Sequence, residues 1–101
     1  MKLFKLYVGH NYGENQTHEP AKVGQIIRKA FRAVGIEGYT VLNGAVGNWM
    51  GNPENTTVIE QYGADPEQIK TAARIIASHL EQDCVMIATI DCNAQFVGIG
   101  G

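Results

Sequence analysis

The stretch DPEQIKTAARIIASHLEQDCVMIATI, residues 65–90, decides how the chain is read. Asp65 suits a helix N-cap, Pro66 the first helical position, and Gln68 the far side of a capping box. Behind them Ile69, Ala72, Ala73, Ile76, Ala77 and Leu80 recur with the spacing of an amphipathic helix. Then the period changes. CVMIATI (84–90) is an apolar run that reads as a strand, apolar on both faces and so expected at the centre of a sheet. Glu81, Gln82 and Asp83 lie at the seam. A helix C-terminus carries the negative end of the dipole and favours Lys or Arg, so two carboxylates there need a reason.

Working outward, KLFKLYV (2–8) reads as a first strand, followed by the polar loop GHNYGENQTHEP (9–20), long enough to carry function. Val23, Ile26, Ile27, Ala30, Phe31 and Val34 form a second helical stripe, and Gly35 is a fitting stop. YTVLNGAV (39–46) and TTVIEQY (56–62) read as hairpin partners around a glycine-rich turn, and AQFVGI (94–99) offers a further edge strand. The order β-α-β-β-α-β is the ferredoxin-like pattern of the α+β class. It places two helices on one face of an antiparallel sheet, in a single domain over residues 1–101.

The bulk properties narrow the functions. A hydrophobic share of 45% with 18% charged residues describes a globular chain. A net charge of −2, with Lys and Arg scattered, argues against a nucleic-acid surface. No apolar run is long enough to span a bilayer, and the N-terminus has no signal-peptide pattern, so the expectation is a cytoplasmic protein without a membrane partner. Cys84 and Cys92 are too few for a disulfide framework. His10, His18 and His79 show no metal-ligand spacing with them, so they are expected at the surface, and neither metal nor cofactor is expected.

Two places hold candidate chemistry. GAVGNWMG (44–51) lacks the Lys-Ser or Lys-Thr of a phosphate loop. It is open to two readings: a bulged hairpin, or a close backbone approach to a ligand with Trp49 as a platform for a cation. Glu60 shares a strand face with Val58 and Tyr62 by alternation, and a buried acid there needs a partner. That partner is either a Lys or Arg across an interface or a cationic or hydroxyl-bearing ligand, and the second is preferred. The half-apolar face predicts association of subunits through their sheets. No Ser-His-Asp or Cys-His arrangement is present, so any reaction works without an evident protein nucleophile.

ARIIASHLEQDCVMIA (73–88) resembles the bacteriophage S-adenosylmethionine-cleaving enzymes, the antirestriction SAM hydrolase/lyase family, in which a helix likewise runs into Glu-Gln-Asp-Cys-Val. IRKAFRAVGIEGYTVLNGAVGNWMG (27–51) is similar at the level of pattern, and Trp49 stands where the family has Tyr. The resemblance implies a PII-like trimer of ferredoxin-like subunits that holds ligand at the subunit interfaces. It implies cleavage of S-adenosylmethionine to 5′-methylthioadenosine and homoserine lactone, with hydrolysis as the variant, which depletes the methyl donor of host restriction. On this resemblance Glu60 and Trp49 are the catalytic residues. Gly9, His10, Glu81 and Asp83 are substrate-binding, one of the two motif acids being structural. The seam acids would then border a site for a cationic substrate; the plainer account is that solvent screens them. A PII-like sensor or sequestering protein for an adenine nucleotide, without catalysis, is the alternative.

Overall fold

The computed structural model describes residues 1–100. Strand β1 (Lys2–Gly9) leads through a small hairpin, β2 (Asn11–Tyr12) and β3 (Gln16–Thr17), into helix α1 (Pro20–Ala33). A long hairpin follows, β4 (Thr40–Trp49) and β5 (Asn52–Tyr62), then helix α2 (Pro66–His79) and strand β6 (Met86–Asp91). The main sheet is antiparallel in the order β4-β5-β1-β6. This is the expected ferredoxin-like βαββαβ arrangement.

Both helices pack on one face of the sheet. Val23, Ile27, Ala30 and Phe31 of α1 and Ile69, Ala72, Ala73 and Ile76 of α2 bury against Phe4, Leu6 and Val8 of β1 and Ile59 of β5. Burying a side chain such as Phe4 or Ile59 contributes about 1.5–3 kcal/mol. The start of α2 forms as its sequence indicates. The Asp65 carboxylate accepts the Glu67 N–H at 2.8 Å, and Gln68 Oε1 accepts the Asp65 N–H at 3.0 Å.

The long hairpin closes through Met50 and Gly51, both at positive φ (51° and 83°), the backbone of a two-residue type I′ turn. A bulge interrupts β4 between Leu42 and Ala45. The molecule measures 52 × 24 × 23 Å, its long axis far exceeding the width of two helices on a sheet.

Two expectations are corrected. β6 is an edge strand, since it pairs with β1 alone. Its inner side packs Ile87 against the core, while Met86 and Ile90 are exposed on the other face. Apolarity on both sides therefore reports an uncovered sheet face and not a second neighbouring strand. Residues 94–99 form no strand. Cys92 N–H still reaches Met1 O at 3.0 Å, but the chain beyond it meets no sheet edge, and Phe96 and Ile99 are fully exposed.

The two helices end alike. After α1, Gly35 takes a φ of 78°, its N–H bonds Arg32 O, and Ile36 N–H bonds Phe31 O, which together make a Schellman motif. After α2, Glu81 takes the same position with φ 54°, and Gln82 N–H bonds Ala77 O at 2.9 Å. A residue with a Cβ in this left-handed conformation costs about 1 kcal/mol. Glu81→Gly is therefore expected to stabilise the fold by up to about that amount, a rise in melting temperature of roughly 4–8 °C at the upper limit. A fall in melting temperature would show that the Glu81 side chain contributes more than its backbone strain costs.

Candidate functional site

The alternation of the strands leaves a second sheet face away from the helices. By register it carries Leu3, Lys5 and Tyr7 of β1, Val58, Glu60 and Tyr62 of β5, Leu42 of β4, and Met86 and Ile90 of β6. Leu42, Tyr62, Met86 and Ile90 are each between 43% and 58% exposed. Contiguous apolar exposure of this kind marks an interaction or ligand surface.

Glu60 sits within this face, directly opposite Lys5 in register, with 3.6 Å between Oε2 and Nζ. It also lines an open groove of about 520 Å³ at the end of the β4–β5 pair, walled by Tyr39, Tyr62 and the 35–38 backbone. Trp49 lies at the far tip of the hairpin, half-exposed, beside the strongly exposed Met50 and Val46. Its strand partner Asn52 and Glu60 are eight residues apart on β5, a separation of roughly 27 Å at about 3.4 Å per residue. One chain does not bring Glu60 and Trp49 together.

Gly9 and His10 end up on opposite faces. On the open face the Glu54 carboxylate lies over Gly9, where a Cβ would come within 2.5 Å of its carbon and both oxygens. A side chain at this position would have to displace the Glu54 carboxylate. Glu54 also accepts the Asn11 N–H at 3.1 Å, which ties the loop after β1 to β5.

His10 turns toward the helix side and is buried, as is His18, so the expectation of surface histidines is corrected for these two, while His79 is exposed as expected. His18 stacks on Tyr12 at 3.8 Å between ring centroids, and its Nε2 lies 2.7 Å from Leu80 O. A carbonyl only accepts, so that nitrogen carries the proton. His10 Nε2 lies 2.8 Å from Thr57 Oγ1, whose own proton is directed at Asn43 Oδ1. His10 therefore donates to Thr57, and its Nδ1 is left as a buried acceptor without a partner among the described residues. Burial pushes the His10 pKa down, as does the nearby His18, while the Glu54 carboxylate partly offsets this.

The seam acids do not converge on Glu60. Glu81 is exposed and serves as the left-handed helix cap; Asp83 is exposed beside Arg74, Cys84 and Lys70 in a shallow cleft between α2 and β6. The residue of the motif that makes contact is Gln82, whose Nε2 donates to Asn11 O. Among the described residues no group of His, Cys, Asp and Glu is placed to hold a metal ion. Lys5 and Glu54 were not singled out from the sequence, and Gln82 was placed in the seam motif without a role. Lys5 did leave a signal, a charge in mid-strand like Glu60; Gln82 lay within the motif at 81–85, and Glu54 left none.

No family model matches the chain, and no curated protein matches it in sequence. Solved structures match it in shape. A phage SAM lyase in its apo state superposes with a TM-score of 0.61 over 88% of this chain and 78% of that one, at 17% identity. A phage SAM lyase in complex with S-methyl-5′-thioadenosine gives a TM-score of 0.59 over 89% of this chain and 80% of that one, at 16% identity. The likeness is one of fold.

The His10 environment sets a pH dependence. Its pKa in the folded chain is lowered below the ordinary value of 6.5, so the unfolded chain takes up a proton first as the pH falls. The stability that His10 contributes is complete above about pH 6.5 and is lost as the pH drops from there toward the folded-state value. Denaturant unfolding at a series of pH values is expected to show this slope. His10→Gln, which cannot take up the proton, is expected to flatten it, and an unchanged slope would assign it to other groups.

Proposed function

We propose that this chain is an S-adenosylmethionine-cleaving enzyme, a lyase giving 5′-methylthioadenosine and homoserine lactone, which works as a trimer with its site between subunits. The observation that carries the reading is the shape shared with phage SAM lyase, one structure of which holds S-methyl-5′-thioadenosine. The resemblance at residues 81–85 points the same way. The separation of Glu60 from Trp49 within one chain, together with the apolar open face, supports a site completed by a neighbouring copy.

The reaction asks little covalent chemistry of the protein. A carboxylate oxygen of the substrate attacks its own Cγ, the Cγ–S bond breaks, and its electron pair returns to sulfur. The sulfonium thereby leaves as a neutral thioether and the lactone closes. No protein nucleophile takes part. Holding the methionine tail folded for this intramolecular attack can supply about 7–11 kcal/mol of the barrier in favourable cases. Glu60 anchors the ammonium or the ribose hydroxyls. Trp49, from the neighbouring hairpin, packs its ring against the sulfonium or the methionine tail. A phage would use the activity to deplete the methyl donor of host restriction, and the protein would act in the host cytoplasm.

Incubation of the purified protein with S-adenosylmethionine, followed by chromatography and mass spectrometry, is expected to show catalytic accumulation of methylthioadenosine, with lactone preceding homoserine. Homoserine from the outset would make the enzyme a hydrolase. Intact substrate together with stoichiometric adenine-nucleotide binding would replace the enzyme with a sensor. Glu60→Gln is expected to lower turnover about a hundredfold or more with the melting temperature retained. Trp49→Ala is expected to raise KM. Full activity in the first variant would remove Glu60 from the mechanism.

A further inference from the structure

Lys5 and Glu60 form a loosely matched ion pair. Their charged atoms are 3.6 Å apart, beyond the 2.7–2.9 Å typical of a charge-assisted hydrogen bond. Neither side chain has a hydrogen-bond partner among the described residues, yet the two are only 32% and 25% exposed. An ammonium with three donors and a carboxylate with about four acceptor positions are thus held side by side, each reaching solvent and each open to a ligand. Around them on the same face stand Leu3, Tyr7, Val58 and Tyr62, with the groove adjoining Glu60. This surface offers one positive and one negative centre in a mostly apolar setting.

Resting on the enzyme reading, we infer that Lys5 and Glu60 together receive the α-amino-acid end of the substrate, with Lys5 binding its carboxylate and Glu60 its ammonium. An α-amino acid carries both charges on one carbon, so the zwitterion sets each against its opposite in the pair. Bound this way, it replaces solvent at both charged ends with groups of matching charge. The bond made by Lys5 has a consequence for the reaction. The carboxylate is the nucleophile, and a lysine ammonium keeps it ionised and fixes the direction from which it meets Cγ. Lys5 neither gives nor takes a proton. An ammonium leaves the remaining carboxylate oxygen free to attack, whereas a bidentate guanidinium would occupy both.

Two probes separate this role from a purely structural ion pair. S-adenosylhomocysteine carries the amino-acid end and lacks a sulfonium to cleave; 5′-methylthioadenosine lacks the amino-acid end altogether. Titration calorimetry on wild type and Lys5→Met is expected to show S-adenosylhomocysteine binding weakened about tenfold, about 1.4 kcal/mol, with methylthioadenosine binding unchanged. The ratio of the two affinities is the decisive quantity, because a partly unfolded sample lowers both alike. Lys5→Arg, which keeps the charge, is expected to retain the preference for S-adenosylhomocysteine while lowering kcat. A ratio unmoved by Lys5→Met in a protein that binds methylthioadenosine would overturn the role of Lys5 and leave the enzyme reading standing. Failure of wild type to bind either compound would overturn both.

Discussion

The two helices cover one face of the four-stranded sheet, and the opposite face presents Leu42, Tyr62, Met86 and Ile90 to solvent around the Lys5–Glu60 pair. Apolar surface removed from water is worth about 25 cal/mol per Å², so a face of this kind is a standing drive toward association. A sheet with only one covered face can be buried by its equal from another copy, and such burial would give a small domain a second core. The position of Glu60 follows from that constraint. An acid in an apolar face is tolerated where a lysine stands opposite, as Lys5 does here. Trp49 obeys the same logic from the other end, since an aromatic ring at the tip of a protruding hairpin finds no core in its own chain.

The second organising feature is the docking of the segment after β1. Glu54 accepts the Asn11 N–H, Gln82 donates to Asn11 O, and His18 donates to Leu80 O. His18 N–H also bonds His10 O at 2.8 Å, which closes the segment on itself. A polar loop is thereby clamped between β5 and the end of α2. Within one chain the seam residues have local roles. Glu81 occupies a left-handed cap where its backbone, not its charge, is what the fold uses. Gln82 between them is the tie to the loop, and Asp83 is left at the surface.

The helices, their stripes and the capping box at Asp65 were legible because they depend on residues within one or two turns of each other. The same holds for the β-α-β-β-α-β order. The place of β6 was not, since an apolar strand reads alike whether its second face meets another layer or awaits one. Glu60 stood out as a charge in an apolar strand. Lys5 carries the same signal more weakly, because the long aliphatic stem of lysine makes a strand position ordinary. Glu54 is explained only by its lying over Gly9, and Gln82 only by its reaching Asn11, contacts set by strand register and helix packing that no local pattern encodes. His10 and His18 were misplaced for the same reason: the loop composition is polar, while Thr57 and Leu80, distant in sequence, bury them.

The central claim is a site shared between copies, with Glu60 from one chain and Trp49 from the next. Mixing tests it most directly: Glu60→Gln chains and Trp49→Ala chains are unfolded together, refolded, and assayed for cleavage of S-adenosylmethionine, at substrate well below the raised KM of Trp49→Ala, against each variant refolded alone. If the residues meet across an interface, some mixed interfaces hold an intact Glu60 and an intact Trp49. Activity should then rise well above either parent, toward roughly a quarter of wild type at equal mixing. Activity no greater than the average of the two parents would mean that both residues act within one chain, or that Trp49 does not act at all, and would contradict the account.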